Sequence, residues 1–147
     1  MLDVSKETTW GLFALHYLAM KSRMAGAAEI ARHGRIPLKR LRPILKKLRA
    51  AGYVRGRSGH GYALAKAAGA ISVNDVAQIF ETDETRAKTC TERYDVCSYR
   101  ESCALAPLCR EAWERARSAM RSFTIADLRR APAALADCGG PGFRRIG

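Results

Sequence analysis

Apolar side chains recur at Trp10, Phe13, Ala14, Tyr17, Leu18 and Met20 within residues 5–23, close to the 3.6-residue helical period. Gly26 interrupts the pattern, and AAEIARHG follows as a short helix that Gly34 can cap at its C-terminus. In RIPLKRLRPILKKLRAAG the buried stripe is Ile36, Leu38, Leu41, Ile44, Leu45 and Leu48, and Gly52 is the stop. The next stretch, YVRGRSGHGYAL, changes character: two short β-prone runs flank a basic, glycine-rich turn, which predicts a hairpin. ISVNDVAQIFE returns to helical spacing, with Ser72 or Asn74 available as the cap and Val73, Val76, Ile79 and Phe80 facing inward. Residues 82–104 are polar, without a sustained period, and read as a loop. From Leu105 the stripe resumes at Leu108, Ala112, Trp113, Ala116, Ala119, Met120 and Phe123, a helix of roughly five turns.

Helix, short turn, basic helix and hairpin in that order make a winged helix-turn-helix. The expected fold is therefore mainly α with a small β-hairpin wing, followed by a long C-terminal dimerisation helix. One long helix cannot bury its stripe alone, so a second copy is the economical cover; packing onto its own domain is the alternative. The expected organisation is a winged helix-turn-helix domain over 1–81, a cysteine-bearing loop over 82–104, the dimer helix over 105–130, and a loosely ordered Pro/Gly-containing tail over 131–147.

Charge sharpens this picture. Residues 1–73 carry 14 Lys or Arg against three acids, whereas residues 74–147 carry 12 against 11. Within the first half, residues 39–57 hold eight basic side chains and no acid. Such asymmetry points to a polyanion, with nucleic acid ahead of membrane and a merely solvated basic face as the bland alternative. In a helix-turn-helix the first turns of the second helix enter the major groove, which here nominates Lys39, Arg40 and Arg42. Arginine suits bidentate reading of guanine, so Arg40 or Arg42 is the expected base reader; Lys46, Lys47 and Arg49 are expected at phosphates or in solvent. Arg55, Arg57 and His60 of the wing are placed for minor-groove or phosphate contacts. Pro43 departs from a regular helix and predicts that the reading helix starts late or bends there. Acids at Asp3 and Glu7, where a secretory signal needs cations, predict a core helix and a cytoplasmic protein with no membrane association.

Four of the five cysteines fall at Cys90, Cys97, Cys103 and Cys109, with gaps of six, five and five residues; the fifth is Cys138. A reducing compartment disfavours disulfides and leaves metal or redox chemistry. Structural zinc sites use closer C-x₂₋₄-C pairs, which makes zinc the weaker reading here. Wider gaps on a loop can converge on an iron–sulfur cluster, whose iron atoms accept thiolates from several directions. His16 and His33 read as packing or surface residues. No acid/base pair, nucleotide loop or nucleophile constellation points to an enzyme.

The ordered set SKETTWGLFAL, AAEIA, LRPILKKLRAAGYV, a Gly-rich wing, ISVNDV, three spaced cysteines and a closing FTIADL resembles the bacterial IscR/NsrR/RirA family of winged-helix transcription regulators, over about residues 4–128. The resemblance implies a homodimer whose long helices cross, a pseudo-palindromic double-stranded DNA operator, and an iron–sulfur cluster held by Cys90, Cys97 and Cys103. IscR-like members place a histidine three residues after the last cysteine; here that residue is Ala106, which argues against an IscR-type [2Fe–2S] site and favours [4Fe–4S]. NsrR-like members complete their cluster with a carboxylate from the partner's first helix, making Glu7 the first candidate for a fourth ligand. Cys109 is the second, although a buried structural cysteine is its commoner fate. The wing is shorter than the family's common form, and many relatives carry an acid or amide where Arg42 stands. The implied function is a regulator, in the repressor sense, whose operator affinity follows nitric oxide, iron or redox state; a zinc-stabilised or metal-free thiol-switch regulator is the alternative.

Overall fold

The computed structural model describes residues 5–21, 23–81 and 102–128. The expectations attached to Cys90, Cys97, Cys138 and the tail lie outside the described residues. Helix α1 (Lys6–Met20) starts at Ser5, whose hydroxyl accepts the Thr8 N–H at 3.2 Å as an N-cap. Its buried residues are Thr8, Gly11, Ala14, Leu15, Tyr17 and Leu18. Leu15 thus belongs to the core, whereas Met20, expected there, is 57% exposed because the helix ends at that residue.

Helices α2 (Ala27–Gly34) and α3 (Leu38–Ala50) form the helix-turn-helix. Gly34 does not supply the left-handed cap expected of it. It is the last residue of α2, and a Cβ there would overlap the Phe13 ring of α1, so the glycine serves close helix packing. The left-handed residue is Arg35 (φ 51°), and the next residue, Ile36, donates its N–H to the Ala31 carbonyl at 2.9 Å. Helix α3 does not start late either. It runs from Leu38 through Pro43, with Arg40 and Leu41 N–H groups both returning to the Pro37 carbonyl. Pro43 and Lys39 are exposed, so water can hydrate the Lys39 carbonyl that the missing proline N–H leaves free. Leu41, Ile44, Leu45 and Leu48 are buried, as the stripe predicted, and Leu38 is half-buried.

The wing pairs β1 (Val54–Arg57) with β2 (Gly61–Leu64) antiparallel, Val54 opposite Leu64 and Arg57 opposite Gly61. Ala25 and Tyr62 exchange both backbone hydrogen bonds (2.9 and 2.8 Å), which pins the hairpin to the turn before α2. Gly61 makes that approach feasible: its φ is 96°, and a Cβ would overlap the Ala25 carbonyl. Gly61→Ala is expected to destabilise the domain by about 1–3 kcal/mol from backbone strain alone. The loss should appear as a lowered thermal midpoint together with weakened DNA binding, since the same contact sets where Arg55 and Arg57 stand.

A 3₁₀ turn (Ala68–Ala70) leads to α4 (Val73–Phe80), capped by Ser72 in a reciprocal box: the Asp75 N–H donates to the Ser72 hydroxyl and the Ser72 N–H to the Asp75 carboxylate, both at 3.0 Å. After the segment 82–101, α5 (Ala106–Ser122) packs against α4. The expected helix over 105–130 is not continuous. The chain leaves α5 at Phe123, and Ser72 and Thr124 face each other in an antiparallel bridge: Val73 N–H donates to the Phe123 carbonyl (2.8 Å) and Ile125 N–H to the Ile71 carbonyl (2.9 Å). Helix α6 (Ile125–Leu128) follows, buried through Ile125, and its Asp127 carboxylate accepts the Thr124 N–H at 2.8 Å and the Thr124 hydroxyl at 2.7 Å. The core lies around α1, against which α2, α3, α4, α6 and β2 all pack. No described helix is long and apolar enough to cross a membrane.

Glu29 of α2 holds both the connection before it and α1. Arg23 donates to both carboxylate oxygens of Glu29 (2.7 and 3.1 Å), and the Tyr17 hydroxyl donates to the same group at 2.8 Å. The Arg23 bonds first, then that from Tyr17, pull the Glu29 pKa from 4.5 to about 2. A carboxylate depressed in the fold stabilises it above its ordinary pKa, and that contribution is lost as pH falls from about 4.5 through about 2. The acid limb of a thermal-melt series is therefore expected to fall less steeply for Glu29→Gln than for the wild type; Arg23 is 62% exposed, so the difference is modest.

Candidate DNA-reading surface and cysteine site

Helix α3 divides by chemistry. Leu41, Ile44, Leu45 and Leu48 point into the core, and at about 100° per residue the opposite line runs through Lys39, Pro43 and Lys46. Arg42 and Arg49 fall on one flank of that line, Arg40 and Lys47 on the other. All seven residues are exposed. The Lys47 ammonium lies over the Phe80 ring of α4, 5.6 Å from its centroid, which draws it towards the domain rather than outward. Arg55, Arg57 and His60 of the wing are exposed, and the His60 ring Nδ1 lies 2.9 Å from the Ser58 carbonyl, bracing the hairpin tip. Arg35 is a further exposed cation, between the two helices of the motif, that sequence reasoning passed over; only the turn geometry marks it.

The cysteine site is described in part. Cys103 is half-buried and its carbonyl accepts the Ala106 N–H at 3.1 Å, which places it at the foot of α5. Cys109 lies one turn into that helix and is exposed, not buried as its apolar neighbours led one to expect. The reason is that α5 has no buried residue: Leu105 and Leu108 are each 63% exposed and Phe123 54%. Glu7 stands exposed in the first turn of α1. Among the described residues no three His, Cys, Asp or Glu side chains come together, and Cys90 and Cys97 lie outside them. His33 stacks near Phe13 and Tyr17, with ring centroids 6.0 and 4.7 Å away.

A contact that periodicity could not nominate joins the end of α4 to the start of α1. Glu81, at the end of α4, accepts the Ser5 N–H at 3.0 Å and the buried Thr8 hydroxyl at 2.7 Å. The carboxylate that precedes the cysteine segment thus holds the start of α1, where Glu7 resides. Seventy-three residues separate Thr8 from Glu81, and no local pattern signals such a bond.

The model of a family described as Rrf2, iron-dependent transcriptional regulator, matches residues 4–131. The chain belongs to the Rrf2 family. Rrf2 regulators bind DNA and are typically dimeric; they are transcription regulators and not enzymes. Among solved structures the chain is similar to CymR, the global cysteine regulator of B. subtilis, at 27% identity over 87% of this chain and 96% of that one, with a TM-score of 0.66. It also resembles IscR of T. potens, at 22% identity over 88% and 87% with a TM-score of 0.70, and the oxidised form of Staphylococcus aureus CymR, at 21% over 84% and 93% with 0.63. These last two likenesses carry the fold. The comparison with curated proteins found no match. The mainly helical fold with its two-stranded wing is that of an Rrf2 regulator.

Proposed function

We propose that this Rrf2 chain is a homodimeric repressor that binds a pseudo-palindromic operator and loses or gains affinity according to an iron–sulfur cluster held by Cys90, Cys97 and Cys103. The observation that carries the reading is the position of Cys103 at the foot of a helix that packs on α4 yet, among the described residues, leaves Leu105, Leu108 and Phe123 exposed. Two features support a cluster: Cys103 is a free, partly accessible thiol, and the family includes cluster-binding members such as IscR. A bound [4Fe–4S] cluster would supply iron that thiolates ligate and that nitric oxide or oxygen can attack. Cys90, Cys97 and Cys103 would then hold one arrangement of residues 90–103, with Glu7 of the partner subunit as the first candidate for the remaining position and Cys109 as the second.

The chain's own residues supply the coupling. At its far end α5 is clamped by the Ser72–Thr124 bridge and buried Ile125; at its near end it follows Cys103. Engaging or releasing the Cys103 thiolate would therefore act at the end of α5 opposite that clamp. A second copy covering Leu105, Leu108 and Phe123 would carry that movement to the paired reading heads. A tenfold change in DNA affinity requires only about 1.4 kcal/mol between the two arrangements.

Anaerobic native mass spectrometry of the full chain tests this reading. A dimer carrying iron and sulfide, brown with absorption near 400 nm, is the expected result; a colourless zinc dimer overturns it. The accessible thiols of Cys103 and Cys109 favour one other reading, a metal-free thiol switch. A metal-free dimer that forms a peroxide-induced disulfide would select it.

A further inference from the structure

Pro43 is the residue of α3 whose presence the fold does least to explain. Inside a helix, proline removes the hydrogen bond to the Lys39 carbonyl and crowds the preceding turn. Burial of its ring could offset that loss, but Pro43 is exposed. It lies opposite the buried Ile44, Leu45 and Leu48, on the same outward line as Lys39 and Lys46, within the first half of the helix. In a helix-turn-helix that half of the second helix meets base edges in the major groove. The pyrrolidine ring has neither donor nor acceptor, so a base beneath it can be read only through apolar contact. In the major groove the apolar group that distinguishes one base from the others is the thymine C5-methyl. Lys39 and Lys46 on either side are free to engage phosphate or base edges and bring the ring close.

We propose that Pro43 is a specificity-determining residue of this regulator, reading the C5-methyl of one thymine in each half-site. The inference rests on α3 being the reading helix. It also accounts for a proline whose backbone cost would otherwise go unreturned, and it predicts an operator with a fixed thymine where a polar side chain would instead read a hydrogen-bonding edge.

The test uses the full chain, purified anaerobically, and duplexes about three helical turns long recovered from a random pool. In the recovered duplex each thymine is replaced in turn by deoxyuridine, which differs only by the missing methyl. For the wild type, one such replacement per half-site should weaken binding about fourfold, the factor carried by burying one methyl group. Pro43→Ser should melt at a higher temperature, because a helix-interior proline is gone, and should bind thymine and deoxyuridine duplexes alike at that position. The inference is overturned if no thymine is enriched, if no deoxyuridine replacement affects the wild type, or if Pro43→Ser keeps the same sensitivity. An Arg40→Ala/Arg42→Ala variant measured alongside separates the two ideas. Undiminished binding by it sinks the reading-helix assignment, whereas its loss of binding with a wild type indifferent to the methyl sinks the Pro43 inference alone.

Discussion

Replacing Arg40 and Arg42 together with alanine is expected to abolish operator recognition while leaving the protein folded. Both side chains are exposed on the flanks of α3, and neither contributes to the hydrophobic core. Their removal also thins a crowd of like charges, so the thermal midpoint should not fall. The effect on DNA is large because a bidentate arginine–guanine pair is worth about 1–3 kcal/mol, and a dimer makes each contact twice. With one such pair in each half-site the loss is about 2–6 kcal/mol, or roughly 30-fold to 25,000-fold in affinity. Footprinting and fluorescence anisotropy at fixed salt give the readout, and the salt dependence should become shallower as phosphate-facing charge is lost. The absorption spectrum of the purified variant should be that of the wild type, since the substitutions lie on another element from Cys103. Unchanged footprints would show that α3 is not the reading helix.

Cys97→Ala is expected to remove iron and sulfide from the purified protein without unfolding it. If three thiolates and one weaker ligand hold the proposed cluster there is no redundancy, and losing one thiolate forfeits the cluster instead of merely loosening it. The fold should survive because the described core, from Leu15 through Leu45 and Ile71 to Ile125, contains no cysteine. Cys103→Ala should behave the same way, while Cys109→Ala and Cys138→Ala should retain iron if three cysteines and Glu7 form the site. Metal analysis and circular dichroism on the same preparations decide the matter. A Cys97→Ala protein that keeps stoichiometric iron removes this residue from the ligand set; a Cys109→Ala protein that loses it moves the fourth position from Glu7 to Cys109.

Much of the fold was legible along the chain because its signals are local. The stripe of α3 needs only the helical period, and a cap at Ser72 or Asn74 needs only a polar residue ahead of the apolar positions; the structure chose Ser72. The hairpin announced itself through the glycines of RSGHG, and the contrast between a basic first half and a balanced second half separated the DNA-facing domain from the rest. The candidate DNA residues were equally accessible, since a second helix with no acid among its cations has few other uses. The cysteine spacing and the family resemblance nominated Cys90, Cys97 and Cys103 as candidate ligands, and Ala106 where IscR-like members carry a histidine argued against an IscR-type site.

What the sequence determined by itself, then, is the order of the main elements, the buried face of α3 and the charge each element would show. Only the tertiary structure decided which of these meet. Gly34 is small because Phe13 arrives from another helix, so the left-handed turn passes to Arg35. Glu81 is fixed by Ser5 and Thr8 at the far end of the chain, which binds the start of α1 to the threshold of the cysteine segment. FTIADL turns back to lay Thr124 beside Ser72 and bury Ile125, clamping α5 at one end while Leu105 and Leu108 at its other end stay exposed. The physical reason is the same in each case: periodicity and capping act within a few residues, whereas these contacts join segments whose proximity exists only once the chain has folded.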